Sequence, residues 1–202
     1  MTIRLLLADD QALVREALAA LLELQTDFEI VASVGRGDEV ADAARAAEPD
    51  VALLDIEMPG LDGLAAAAVL AEQLPSCRVI ILTTFGRAGY LRRAMEAGAV
   101  GFVVKDTRAE ALADAIRRVA AGGRVVDPDL AVATLAAGDS PLTARERDVL
   151  IASRSGATVA EIAAKLFLSE GTVRNYLSGA IAKTGTRNRM EALRVADDRG
   201  WL

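Results

Sequence analysis

Short apolar runs alternate with longer amphipathic segments along the first 122 residues, as strands alternate with helices in α/β proteins. The apolar runs lack polar alternation, which predicts strands buried on both faces, as in a parallel sheet. Five such units predict a doubly wound five-stranded parallel sheet in the order 2-1-3-4-5. The predicted strands span residues 3–8, 28–34, 51–54, 79–82 and 100–104. The predicted helices span residues 13–24, 39–47, 64–74, 90–97 and 109–121.

Turn and capping residues mark where several of these elements begin and end. Pro59 and Gly60 stop the third strand, because proline cannot continue the hydrogen-bond ladder and glycine permits turn dihedrals. Asp62 follows as the predicted N-cap of the third helix. Thr107 and Glu110 have the spacing of a capping box, which predicts that they open the fifth helix.

The alternation of strand and helix patterns ends after residue 122, so the chain is predicted to contain two domains, 1–122 and 141–202. Glycine, proline and small polar residues in the segment 123–140 predict a linker, with a short helix near 130–136. The second domain is predicted to be smaller and all-α. Its pattern contains no alternating strands, only helical segments and their caps.

Two helices of the second domain are predicted to begin at capping boxes, in which a glutamate follows a threonine three positions later. These pairs are Thr143 with Glu146 and Thr158 with Glu161. Ser169 is the predicted N-cap of a longer third helix over residues 170–183, and a last helix is predicted over 189–199. The short second helix, the turn and the longer third helix have the arrangement of a helix-turn-helix motif.

The third helix separates its residues onto two faces. Val173, Leu177 and Ile181 recur every four positions and are expected to face the core. Its polar side suits the major groove of DNA, because arginine can bond a guanine edge and asparagine an adenine edge. The residues expected there are Thr172, Arg174, Asn175 and Ser178. Those expected to bind phosphates are Lys183, Arg187 and Arg189. The alternative is a solvated polar face on a helical bundle.

Charge and composition narrow the possible functions. Residues 1–140 carry 13 Lys and Arg against 22 Asp and Glu, a net charge of −9, whereas residues 141–202 carry 10 against 7, a net charge of +3. Only the tail is therefore suited to a polyanion. The single cysteine excludes an internal disulfide, and with no leader or membrane-length apolar run we expect a cytoplasmic protein that does not insert into membranes. The absence of histidine excludes Ser-His-Asp triads and His-ligated zinc.

Polar residues whose side chains could act together at one site follow four of the predicted strands. Because the carboxyl ends of parallel strands meet at one edge, these side chains are expected to lie together. They are Asp9 and Asp10, Asp55, Thr83 and Lys105. Three neighbouring carboxylates repel one another unless a divalent cation lies among them, and oxygen ligands favour Mg²⁺. Asp55 is then placed to attack a phosphoryl group, with Lys105 and Thr83 offsetting charge on its oxygens. Taken singly, each residue has an ordinary structural role as the alternative.

The acidic pair, the motif D-x-x-M-P-G-x-D-G at residues 55–63, the threonine and the lysine together resemble the receiver domain of two-component response regulators. The resemblance implies that Asp55 accepts a phosphoryl group from a histidine on a separate sensor histidine kinase. It implies that Asp10 binds Mg²⁺ directly, with Asp9 alongside or acting through water, and that Asp55 and the backbone carbonyl of Glu57 are further ligands. Phe102 lies where the family has its switch aromatic.

The tail resembles the LuxR-type helix-turn-helix domain of response regulators of the NarL/FixJ class. The residues that carry this resemblance are 142–146, 161–163, 168–174 and 188–189. The family implies binding as a dimer to paired half-sites. The chain departs from the family at 180–185, where small residues replace bulkier ones. Shorter strings at 55–60, 83–85 and 171–176 resemble regulators of fatty-acid desaturase genes that respond to membrane fluidity.

These observations favour a phosphorylation-controlled transcription factor that forms a homodimer on double-stranded promoter DNA when Asp55 is phosphorylated. Alanine-rich surfaces on the helices at 13–24 and 109–121 are able to form the dimer, although the sequence does not choose them over the fourth helix. We expect no external enzymatic substrate. Two alternatives remain: an acidic-site phosphatase or phosphotransferase, and an adaptor whose tail binds protein.

Overall fold

The computed structural model describes residues 2–84, 88–136 and 140–202. Most of the first 131 residues form one compact unit, and residues 132–202 form the bulk of a second. Within the described ranges, no helix is long and apolar enough to cross a membrane.

A parallel sheet organises the first unit, with the strand order β2-β1-β3-β4-β5-β6. Its strands are β1 (Ile3–Ala8), β2 (Phe28–Val34), β3 (Val51–Asp55), β4 (Arg78–Thr83), β5 (Gly101–Val104) and β6 (Val125–Val126). The first five confirm the predicted order. The predicted count of five was wrong, because Val125 and Val126 add a sixth strand beside Gly101 and Phe102. Two residues are too few to show a strand period in the sequence.

Helices cover the sheet on both faces. They are α1 (Ala12–Glu23), α2 (Val40–Ala47), α3 (Gly63–Gln73), α4 (Ala88–Glu96) and α5 (Ala109–Ala120). On one face, Leu5, Leu53 and Ile80 form a buried core with residues of α1 and α5. Successive strand residues point to opposite faces, so Leu6 and Leu54 face the other layer, and both are fully buried. Burial on both faces is the physical reason that the strand sequences are continuously apolar.

The predicted helix starts are confirmed at α3 and wrong at α5. The Asp62 side chain accepts a hydrogen bond from the backbone N of Ala65 at 2.7 Å, as an N-cap does. At α5 the N-cap is Arg108, whose side chain makes no capping hydrogen bond. The backbone N of Thr107 donates to Val104 O at 3.0 Å in a tight turn after β5. The helix therefore begins one residue too late for Thr107 and Glu110 to form a capping box.

The second unit is built from α7 (Ala144–Ala152), α8 (Val159–Leu166), α9 (Glu170–Thr184) and α10 (Arg189–Asp198). Both predicted capping boxes in this unit are present, and Ser169 caps α9 by accepting from the backbone N of Thr172 at 3.1 Å. Helices α8 and α9, joined through Phe167 and Leu168, confirm the helix-turn-helix arrangement. Their apolar residues share one core with Trp201.

The core face of α9 differs slightly from the prediction. Val173 and Leu177 are buried as expected, but Ile181 is only partly buried and Ala180 takes the inner position. The buried positions of α9 are thus spaced by four and then by three residues, because a helix with 3.6 residues per turn does not keep a repeat of four on one face.

The predicted linker holds two regular elements. Strand β6 lies at its start, and α6 (Pro128–Ala136) follows, which confirms the short helix expected near 130–136. Residues 137–139 of that segment lie outside the described residues, as does Phe85 in the string at 83–85.

Candidate phosphoryl-acceptor site and nucleic-acid interface

Asp55 is the last residue of β3, a strand whose five residues are all buried. The loop after it folds back so that the backbone N of Gly63 donates to Ile56 O at 2.9 Å. A β-carbon at Gly63 would overlap the carbonyl oxygen of Asp55. Only glycine therefore lets α3 begin this close to the end of β3, which explains the glycine that ends the D-x-x-M-P-G-x-D-G motif.

Lys105 lies between two buried carboxylates. Its Nζ is 2.7 Å from Asp9 Oδ2 and 3.1 Å from Asp55 Oδ2. The Lys105 side chain is 10% exposed, so water screens these ion pairs little. Its backbone N donates to Thr83 O at 2.7 Å, which ties the end of β5 to the end of β4. The structure thus brings together residues that are 96 positions apart in the chain.

Three carboxylates converge at this edge. Ligand oxygens of Asp9, Asp10 and Asp55 all lie within 4.8 Å of one another. Asp9 and Asp55 are buried, whereas Asp10 is exposed to solvent. This donor set consists of oxygen atoms alone and is open on the side of Asp10, so it fits a hard divalent cation that keeps several water ligands. The expected acidic cluster that could hold a metal is confirmed.

Burial and ion pairing act against each other on the ionisation of these groups. Burial raises the pKa of Asp55, and the hydrogen bond and charge of Lys105 offset only part of this, so that the pKa lies above its ordinary value. Burial lowers the pKa of Lys105, but Asp9 and Asp55 outweigh it and the pKa is raised. Lys105 therefore keeps its charge, and the site holds a fixed cation beside the acceptor carboxylate.

The remaining receiver residues lie close by in the fold. Thr83 is 4% exposed at the end of β4, and Phe102 is 1% exposed within β5, three residues before Lys105. The side chain of Glu57 is exposed in the loop after Asp55. The catalytic, switch and metal-binding roles assigned to these residues stay predictions.

Sequence reasoning missed Arg15, a residue of α1. Its guanidinium donates to the backbone carbonyl of Asp9 and packs against Gly35. This contact holds the end of β1 from the helix side. The sequence contained no motif that marks Arg15, because the contact depends on how α1 folds back over β1.

The polar side of α9 is exposed as predicted for a DNA-reading helix. Asn175 and Ser178 are exposed, and Arg174 is exposed while its guanidinium lies 2.6 Å from Glu170 Oε2, one turn earlier. The Thr172 hydroxyl lies 2.8 Å from that of Ser169 at the start of the helix. An exposed ion pair of this kind contributes little stability, so Arg174 can exchange Glu170 for another acceptor.

The three residues expected to bind phosphates differ in their contacts. Arg187 is exposed. Lys183 Nζ lies 2.7 Å from Glu146 Oε2, and Arg189 Nη1 donates to the carbonyl of Ala157 at 2.8 Å. The latter two are thus engaged within the domain, which the sequence did not reveal because their partners are 37 and 32 positions away.

The acidic edge of the sheet, with a lysine at its centre, has the features of a phosphoryl-acceptor site. The same chain carries a helix-turn-helix, so the class of protein indicated is one that joins a phosphoryl-acceptor domain to a nucleic-acid-binding domain. Two protein-family models match in the same order. Residues 5–117 match the response regulator receiver domain, and residues 140–196 match the bacterial regulatory proteins of the luxR family.

Relatives match over the full length of the chain. In Bacillus subtilis (strain 168), the uncharacterized transcriptional regulatory protein YvfU is 42% identical over 200 residues, covering 99% of this chain and 100% of the relative. Transcriptional regulatory protein DesR of the same organism is also 42% identical over 200 residues and covers 99% of both chains. The crystal structure of response regulator ChrA, of a heme-sensing two-component system, is 33% identical with a TM-score of 0.60 and covers 100% of this chain and 99% of that one.

The chain belongs to the two-component response regulators of the NarL/FixJ class, which join a receiver to a LuxR-type DNA-binding domain. It is a phosphorylation-controlled, DNA-binding transcriptional regulator. The finer likeness, to regulators of desaturase genes, agrees with the presence of DesR among the relatives. Regulation of such genes by this chain stays a prediction.

Proposed function

We propose that a sensor histidine kinase phosphorylates Asp55 and that the phosphorylated chain binds double-stranded promoter DNA as a homodimer. The observation that carries the proposal is Lys105 within ion-pair distance of both Asp9 and Asp55 at an edge that solvent reaches through Asp10. This arrangement suits the transfer of an anionic group, because the fixed cation of Lys105 stabilises negative charge beside a buried acceptor. It favours that function over a purely structural ion pair.

The chemistry falls to the residues of this edge. A carboxylate oxygen of Asp55 attacks phosphorus, the bond from phosphorus to the kinase histidine nitrogen breaks, and the histidine retains the electron pair. Lys105 and Thr83 contact the phosphoryl oxygens and stabilise their charge. Asp10, Asp9, Asp55 and the backbone carbonyl of Glu57 would hold Mg²⁺, which would neutralise further charge on those oxygens.

The chain acts on no external substrate in this proposal; its only turnover is hydrolysis of its own acyl phosphate. An acidic-site phosphatase would have Asp-x-Asp after the strand, whereas here Glu57 occupies the second position. Release of phosphate from small phosphomonoesters, persisting after deletion of residues 141–202, would support the enzyme instead.

Homodimerisation is supported by an exposed apolar face on α1. Leu13 is 80% exposed, Leu24, at the C-cap of the helix, 75% and Leu21 45%, and the helical spacing places all three on one side of α1. Large apolar side chains grouped in this way mark interaction surfaces. Pairing two chains makes the second DNA-binding event intramolecular, which raises affinity without a new DNA contact. In this proposal, phosphorylation draws Thr83 inward and lets Phe102 rotate, which favours the pairing conformation.

Substituting Asp55 with Asn tests the function directly. Genomic fragments are selected with the parent chain and with Asp55→Asn, each with and without beryllofluoride plus Mg²⁺, and dimer content is measured by light scattering. The parent is expected to dimerise and to enrich a defined set of fragments at least about tenfold when the phosphoryl mimic is present. Asp55→Asn is expected to show neither response, because the mimic requires the carboxylate.

Asp42→Asn serves as the control, since it removes a carboxylate from the receiver surface and leaves the acceptor edge intact. If Asp55→Asn dimerised and enriched fragments with the phosphoryl mimic as the parent does, the proposal would be contradicted. Dimerisation without salt-sensitive selection of duplexes would favour an adaptor whose tail binds protein.

A further inference from the structure

A buried glutamate lies in the DNA-binding unit, far in sequence from the acceptor site. Glu146 is 6% exposed, although a carboxylate is costly to bury without partners. Its Oε2 accepts from the backbone N of Thr143 at 2.7 Å and from the Thr143 hydroxyl at 2.9 Å. These bonds cap α7 but do not account for its burial.

Helix α9 meets the other side of the same carboxylate. Lys183 Nζ lies 2.7 Å from Glu146 Oε2. One turn earlier on α9, a β-carbon added at Gly179 would lie 2.6 Å from Glu146 Oε1. Residues four apart share one face of a helix, so one carboxylate oxygen binds Lys183 and the other occupies the space that the missing side chain of Gly179 leaves.

This arrangement explains a glycine inside a helix. Glycine is less stable than alanine at such a position, and Gly179 lies well within α9. The Glu146 carboxylate cannot simply swing away from a larger residue, because Thr143 and Lys183 hold it by three contacts. Burial raises the pKa of Glu146, but Lys183 and Thr143 outweigh it and hold that pKa below its ordinary value, so the carboxylate stays charged.

We propose that Glu146, Gly179 and Lys183 form a clamp that sets the rotation of α9 about its axis and so positions Arg174 and Asn175 for base recognition. The inference rests on the proposed DNA-binding function and deepens it. Lys183, which the sequence suggested as a phosphate ligand, is a positioning residue in this account. Glu146 acts on DNA only through α9.

The second capping box supplies a matched control. Glu161 accepts from the backbone N of Thr158 at 2.7 Å and from its hydroxyl at 2.8 Å, the same bonds that Glu146 makes. Glu161 is exposed, and among the described residues no lysine or arginine forms an ion pair with it. Glu146→Gln and Glu161→Gln therefore perturb the same kind of cap, and only the first disturbs the clamp.

The test measures full-length protein binding to a duplex selected from a random-sequence library and to a scrambled duplex, over a series of NaCl concentrations. Glu146→Gln and Lys183→Met are expected to weaken binding to the selected duplex about tenfold or more, the loss of a good base contact. Binding to the scrambled duplex and the salt slope should stay at parent values, because phosphate contacts persist. Glu161→Gln is expected to match the parent in every measurement.

Lys183→Met distinguishes the clamp from direct phosphate binding. An equal loss on both duplexes, with the salt slope reduced by about 1, would place Lys183 on a phosphate and overturn the proposal. Unfolding in urea, followed by fluorescence of Trp201, the only tryptophan and a core residue of this unit, shows whether each variant is folded.

Gly179→Ala supplies the second test. It should lower the selectivity of the parent for the selected duplex but cause no further loss once Glu146→Ala has emptied the space. Additive losses would contradict the clamp. If the parent itself selects no duplex, the proposed DNA-binding function fails, and the positioning role fails with it.

Discussion

Burial gives individual residues at the sheet edge their chemistry. Asp55 and Asp10 are both aspartates within one cluster, yet Asp55 is buried beside Lys105 and Asp10 faces solvent. These environments suit the proposed roles, Asp55 as an acceptor beside a fixed cation and Asp10 as a ligand open to an incoming cation. The sequence places both at strand ends but does not distinguish these environments.

Lys105 Nζ lies against Asp9 and Asp55, two of the three carboxylates that could hold a divalent cation. The lysine is therefore expected to compete with such a cation for these carboxylates. Lys105→Met is therefore expected to tighten Mg²⁺ binding by about tenfold, measured by calorimetric titration, because Asp9 and Asp55 lose their internal cation. Phosphorylation by a small-molecule phosphodonor at saturating Mg²⁺ is expected to slow by about a hundredfold, because charge on the phosphoryl oxygens loses a partner.

Lys165→Met removes the same charge from α8 and should change neither quantity. Unchanged Mg²⁺ affinity in Lys105→Met would show that the lysine does not compete with the cation.

At the scale of elements, the predicted capping boxes show where the sequence predicts a helix start correctly and where it does not. The Thr143–Glu146 and Thr158–Glu161 boxes form because each threonine lies directly before its helix. The Thr107 pair has the same spacing, but a turn after β5 delays the helix by one residue. Local spacing is thus reliable where the preceding segment leaves the cap free to form.

The end of α8 carries backbone strain. Phe167 adopts φ 55°, in the left-handed region, and is 96% exposed. Phe167→Asn is expected to raise the free energy of unfolding of the tail by about 0.5–1 kcal/mol, because asparagine tolerates this conformation and little burial is lost. The Trp201 fluorescence transition in urea should move to higher concentration.

Glu48, at φ 44° on the C-cap of α2, provides the comparison. Glu48→Asn relieves the same strain in the receiver and should leave the Trp201 transition in place. A Phe167→Asn transition at or below that of the parent would mean that the exposed ring stabilises the domain.

At the scale of the whole molecule, charge is divided between the two units. Residues 1–140 carry a net charge of −9 and residues 141–202 carry +3. Affinity for DNA therefore depends on a few basic residues of the tail, while the receiver opposes non-specific association.

This division predicts how salt affects DNA binding. Each phosphate contact contributes a slope of about −0.9 in a plot of log K against log salt, so Arg187→Met should make the slope less steep by about 1. Arg45→Met removes the same charge from the receiver helix α2 and should leave the slope unchanged. Equal slopes for the parent and Arg187→Met, measured by fluorescence anisotropy, would remove Arg187 from the phosphate contacts.

The sequence by itself determined the strand order, the acidic edge with its lysine, and the helix-turn-helix. Parallel strand–helix units permit few arrangements, and strand ends in such a sheet meet at one edge whatever the side chains between them. Tertiary structure alone decided the sixth strand at Val125–Val126, the burial that separates Asp55 from Asp10, and the pairing of Lys183 with Glu146. Each of these depends on contacts between residues far apart in the chain, which no local pattern encodes.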